Sequence, residues 1–185
     1  MIRIYTEEIA SDFEGTIIDL ETIGDFVERY DDSRRYREIL PVIFGYIDRE
    51  GVHILCAGDR DSISELRIEI VKVLDSLKRP FYAFNADFER GVLFHRTGKE
   101  VQFEGELNRE KFESKKGAVQ SLGISNYGDP CNDNGWLCSQ EWLNGKIEHA
   151  ILHNRSCLLK ERDILLKRGF REPAGLRLTE ETGSS

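Results

Sequence analysis

Thr16-Ile17-Ile18-Asp19-Leu20-Glu21-Thr22-Ile23-Gly24 is a β-rich run that carries two acids and stops at a glycine. Branched side chains fit a pleated backbone. Side chains alternate along a strand, so Asp19 and Glu21 share one face while Ile18 and Leu20 share the other. Two like charges one pleat apart repel, and a cation or solvent must compensate them. Mg²⁺ or Mn²⁺ does so through oxygen ligands. Water does so too where a strand ends at the surface.

Outward from this run, Leu40 to Ile47 and Val52 to Ala57 flank Asp48-Arg49-Glu50-Gly51, which predicts an antiparallel hairpin. Ile63, Leu66, Ile70, Val73, Leu74 and Leu77 recur at helical spacing, with Asp61 or Ser62 as cap and Pro80 beyond the end. Phe81 to Asn85 has strand composition, and a helix is expected over about Ala86 to His95, before Thr97-Gly98. Residues 99–146 read as irregular and glycine-punctuated, and the longest helical pattern runs from about Ile147 to Lys167 with Gly169 past its end. This order predicts one mixed α/β domain over residues 1–171, with helices on a sheet, and a loose tail over 172–185.

At 185 residues the chain suits one domain, and 39% hydrophobic residues are enough for a core. No apolar run approaches the roughly 20 residues of a membrane span, and no signal peptide is expected. The net charge of −8 counts against binding nucleic acid through bulk positive charge. Four dispersed cysteines in a chain of this length predict reduced thiols and a cytoplasmic location.

A second acidic segment, Asn85-Ala86-Asp87-Phe88-Glu89-Arg90-Gly91-Val92-Leu93, opens the helix after Phe84. Acids in a first helical turn are favoured by the helix dipole whatever else they do. Together, Asp19-Leu20-Glu21 and Asn85, Phe88 and Leu93, with Glu89 where an Asp is usual, resemble the motifs of the RNase-H-like exonuclease superfamily, the DEDD family. The order of elements between them agrees with that family. The resemblance implies an RNase-H-like mixed sheet with flanking helices. It also implies 3′ to 5′ exonuclease activity on single-stranded DNA or RNA with two divalent ions, Mg²⁺ or Mn²⁺. Carried over, Asp19, Glu21 and Glu89 are metal ligands, and Asn85 and Phe88 contact substrate.

The family's last motif, His or Tyr followed by Asp four or five residues later, meets Glu148-His149-Ala150-Ile151-Leu152-His153-Asn154-Arg155-Ser156-Cys157. From His149 the acid position is Asn154; from His153 it is Cys157, the favoured register. Neither supplies the fourth carboxylate. His153, or else His149, is the general base the resemblance implies. At 100° per residue Ile151, Leu158, Arg162 and Leu165 form the expected core stripe, Asn154, Cys157 and Glu161 one flank, and His149 and His153 the opposite side. Glu161, one turn beyond Cys157, is therefore a candidate replacement ligand.

Cys131, Cys138, His149, His153 and Cys157 offer zinc-type donors, but a straight helix cannot bring residues at i, i+4 and i+8 to one ion. Trp136 and Trp142 are expected to anchor a loop, with base stacking as the alternative, and Asp133 is a candidate extra acid that the sequence does not place. Arg34 and Arg35 are the candidate phosphate contacts; the basic residues of the last helix read as solvated surface. The alternative to the nuclease reading is a catalytically silent nucleic-acid-binding or protein-interaction module of the same fold.

Overall fold

The computed structural model describes residues 1–180. Six strands form one sheet: β1 (Ile2–Glu8), β2 (Thr16–Ile23), β3 (Leu40–Ile47), β4 (Gly51–Ala57), β5 (Phe81–Ala83) and β6 (Gly105–Glu106), in the spatial order β1-β4-β3-β2-β5-β6. Pairing is antiparallel from β1 to β2 and parallel for β2–β5 and β5–β6. The helices are α1 (Ile63–Leu74), α2 (Ala86–Thr97), α3 (Lys115–Ser121), α4 (Gly135–Leu143) and α5 (Ile147–Arg168). The α/β architecture and mixed sheet match expectation.

Central strand β2 is buried along nearly its whole length, as a strand covered on both faces must be. Helices α1 and α2 pack together and against the sheet, and α4 and α5 do the same. Leu66, Ile70 and Leu74 are the buried residues of α1, which is the expected apolar stripe. The register of β2 against β3 shifts between Glu21 and Thr22, where Pro41 stands opposite. Proline has no N–H to give to the ladder, and a bulge is where a strand tolerates it. The irregularity falls directly after Glu21.

Four elements lie outside the periodic reading: edge strand β1, the two-residue strand β6 and the short helices α3 and α4. The described part of the expected loose tail, residues 172–180, has no regular secondary structure but makes several hydrogen bonds. Ser33 N–H donates to Arg177 O at 3.0 Å, Thr179 N–H to Ser33 Oγ at 2.9 Å, and Leu176 N–H to Asp87 Oδ1 at 3.0 Å. This segment is held by backbone groups that apolar patterning does not register. Residues 181–185 of the expected tail lie outside the described residues. No described helix is long and apolar enough to cross a membrane.

Candidate metal centre

The site forms where β2 ends, α2 begins and α5 crosses the sheet. Asp19 pairs in register with Gly45 of β3, so both face α5. A Cβ on Gly45 would lie 1.9 Å from Asn154 Oδ1; only glycine lets α5 approach this closely. Asn154 is fully buried, and its Nδ2 donates to Asp19 Oδ2 at 2.8 Å and to Glu21 Oε1 at 3.4 Å. One amide therefore ties the two strand acids together.

Asn154, Cys157 and Glu161, expected on a flank of α5, are all buried. His153 was expected opposite the core and is only 2% exposed. The stripe underestimates burial because α5 is covered from two sides, by the sheet and by the segment containing Asp129. Exposed His149 instead bonds Glu141 Oε2 at 3.0 Å, which removes it from the site.

Four carboxylates come together here. The Lys115 ammonium lies 2.9 Å from Asp19 Oδ1 and 2.6 Å from Glu161 Oε1. Although that contact is close, neither Glu161 oxygen has an aligned hydrogen-bond donor, and Glu89 Oε2 has none either. Burial, then the charges of Asp19 and Glu161, push the Glu89 carboxyl well above its usual range. Burial, opposed by Lys115, raises Glu161 as well. Buried acids without donors are costly, so a compensating cation has a reason to be here.

His153, the favoured general base, lines the cavity with the acids. Its Nδ1 is 2.7 Å from Asp129 Oδ1, and its Nε2 is 3.6 Å from both Glu21 Oε1 and Cys157 Sγ. Burial would lower the imidazole's pKa, but Glu21, Cys157 and Asp129 outweigh it and raise it to about 12. Burial also raises the Cys157 thiol to about 11.

Neither the curated proteins, the solved structures nor the models of known protein families match this chain. The site's chemistry therefore rests on its own geometry.

A cavity of about 370 Å³ opens onto these groups, lined among others by Asp19, Glu21, Glu89, Phe88, Asn85 and Trp136. Trp136 is 71% exposed at this cavity, whereas buried Trp142 donates Nε1–H to Ala57 O at 2.7 Å and is the loop anchor. Arg34 is taken by Asp32 at 2.7 Å, and Arg35 lies over Phe26 and Tyr36 beside a neighbouring cavity. Neither expected phosphate contact reaches the acids, because the loop folds its arginines onto its own acid and rings. All four cysteines are free and buried.

Lys115, Asp129 and Lys160 are charged residues of the site that the motifs do not include. Lys160, expected on the surface, is fully buried and lies 2.8 Å from Asp129 Oδ2 and 2.7 Å from Asp133 Oδ1. Periodicity carries no sign of such pairs, because their partners are 27 and 31 residues away. Among the described residues, Glu21, His153 and Cys157 are one group of donors close enough to share an ion, and Asp129, Cys131 and His153 are another.

Proposed function

We propose that the chain is a divergent, metal-dependent phosphodiester hydrolase of RNase-H-like architecture, acting as a 3′ to 5′ exonuclease on single-stranded nucleic acid. The observation that carries this reading is the gathering of four buried carboxylates, Asp19, Glu21, Glu89 and Glu161, around one ammonium, Lys115, with Glu89 Oε2 left without a donor. The spatial order β4-β3-β2-β5-β6, with β3 antiparallel to its neighbours, supports the architecture.

The acid set fits a divalent ion: Glu21 would hold it, and Asp19, Glu89 and Glu161 would supply the surrounding negative charge that favours it. Once bound, such an ion supplies an acidified water and stabilises charge on a phosphate. The chain's own groups do the rest. Asn154 keeps Asp19 and Glu21 side by side. Phe26, Phe88 and Trp136 give the cavity aromatic walls for an unpaired base, since stacking tolerates any base. Exposed Asn85 sets a polar amide at the cavity wall. Lys115 brings a positive charge to the position a phosphate oxygen would approach.

Incubating labelled single-stranded DNA and RNA with the protein in Mg²⁺ or Mn²⁺ tests this. Cleavage from the 3′ end, abolished by Asp19→Ala and by Glu89→Ala, is expected. Absence of cleavage in both metals refutes it. The silent-module reading is favoured by one feature, the compensation of Asp19 and Glu161 by Lys115 without an ion. Strand binding without cleavage would establish it.

A further inference from the structure

The ring of His153 is oriented as a metal ligand is oriented. Proteins that bind a metal through one imidazole nitrogen commonly fix the other with a carboxylate, which sets the ring's angle and raises its basicity. Asp129 plays that part for Nδ1 at 2.7 Å. It is itself held by Lys160 at 2.8 Å and by the backbone amides of Cys131 and Asp133, each at 2.9 Å. Nε2 is left facing Glu21 Oε1 and Cys157 Sγ, each 3.6 Å away. Metal bonds of about 2.0–2.3 Å in a tetrahedron place ligand atoms roughly 3.3–3.8 Å apart. Both contacts fall in that interval. All three side chains line the cavity, so a fourth position opens toward it.

The donor chemistry narrows the ion. One carboxylate oxygen, one imidazole nitrogen and one sulfur suit a borderline-soft dication, and a thiolate is a poor partner for Mg²⁺. The other side of the site already has a cation. Lys115 reaches Asp19 and Glu161 at 2.9 and 2.6 Å, where a second ion would otherwise be needed.

We propose that this centre binds one dication of the zinc class through Glu21 Oε1, His153 Nε2 and Cys157 Sγ, with the Lys115 ammonium as the fixed second positive charge between Asp19 and Glu161. What the open fourth position is used for rests on the hydrolase reading above; binding of the ion does not.

The test is titration of the metal-free full chain with Co²⁺, a spectroscopic stand-in for Zn²⁺. Expected are one Co²⁺ per chain, a near-ultraviolet thiolate-to-cobalt charge-transfer band, and displacement by equimolar Zn²⁺ but not by excess Mg²⁺. Cys157→Ser removes the band. Asp129→Asn weakens binding by about ten- to a hundredfold, the usual effect of losing such a carboxylate. Lys115→Met raises Mn²⁺ stoichiometry from one ion to two. A wild-type chain with no charge-transfer band overturns the proposal, as does a band that survives Cys157→Ser or two ions per wild-type chain. The wild-type spectrum and stoichiometry decide the matter even if a variant fails to fold. A band without cleavage would sink the hydrolase reading alone. Mg²⁺-dependent cleavage without a band would sink this one alone.

Discussion

In the presence of a chelator the protein should lose stability as the pH rises from about 5 to 7.5, because its buried acids must ionise without a metal. Glu21 supplies the magnitude. Burial raises its carboxyl from 4.5 to about 7, against the pull of His153 and Lys115 and with the push of Asp19. A folded-state pKa above the unfolded value contributes stability that is complete below the unfolded value and drains away as pH rises through the folded one. At about 1.4 kcal/mol per pH unit, this acid alone removes on the order of 3 kcal/mol by neutral pH. Glu89 and Glu161 are also raised and act in the same direction. His153, raised from 6.5 to about 12, extends the loss to alkaline pH. Asp32 and Asp129 are depressed by their hydrogen-bond partners, chiefly Arg34 for the first and His153 for the second, against burial. Their contribution is present above 3.8 and fails only in strong acid, which sets the acid limb. Urea unfolding followed by tryptophan fluorescence in EDTA should show a midpoint lower at pH 7.5 than at pH 5 by about 1–2 M, for a urea dependence of about 2 kcal/mol/M. Saturating Zn²⁺ should narrow that gap, since metal binds the ionised side chains. Equal midpoints at the two pH values in EDTA, or a higher one at pH 7.5, would refute this electrostatic account.

Gly45→Ala should destabilise the fold by about 1–3 kcal/mol through overpacking and also weaken divalent-ion binding, because it pushes Asn154 off Asp19 and Glu21; thermal melts with and without metal measure both. Trp136→Ala, at an exposed position, should change stability by less than about 0.5 kcal/mol yet cost about 1–3 kcal/mol in affinity for an unpaired oligonucleotide, read by fluorescence anisotropy. Lys160→Met should cost about 3–5 kcal/mol in a urea titration, because Asp129 is left buried without its ammonium partner; a loss under 1 kcal/mol would show that the pair carries little.

Much of the framework is written locally. Strand β2, the β3–β4 hairpin, α1, α2 and α5 each carry an apolar repeat long enough to read, and their observed bounds differ from expectation by at most a few residues. Strand β1 escapes notice because an edge strand buries little: Ile4 points outward at 73% exposure. Helices α3 and α4 span 7 and 9 residues, too few turns for a face to declare itself.

The site divides in the same way. Asp19, Glu21 and Glu89 stand out in the chain because an acid at a strand end or helix start interrupts an apolar pattern at a recognisable spacing. Asn154, Cys157 and Glu161 follow from helical geometry on α5, although their complete burial does not. Whether His153 is a base or a ligand, and whether the acids face a solvent-filled gap or an ammonium, depends on Asp129, Lys160 and Lys115. These residues reach the site across 24 to 96 positions of chain. The amino-acid sequence alone determined which elements form and which acids they present, since periodicity and spacing are local properties. Tertiary structure alone decided which charges neutralise one another, because Coulomb energy depends on distance in space and on the water excluded between the groups.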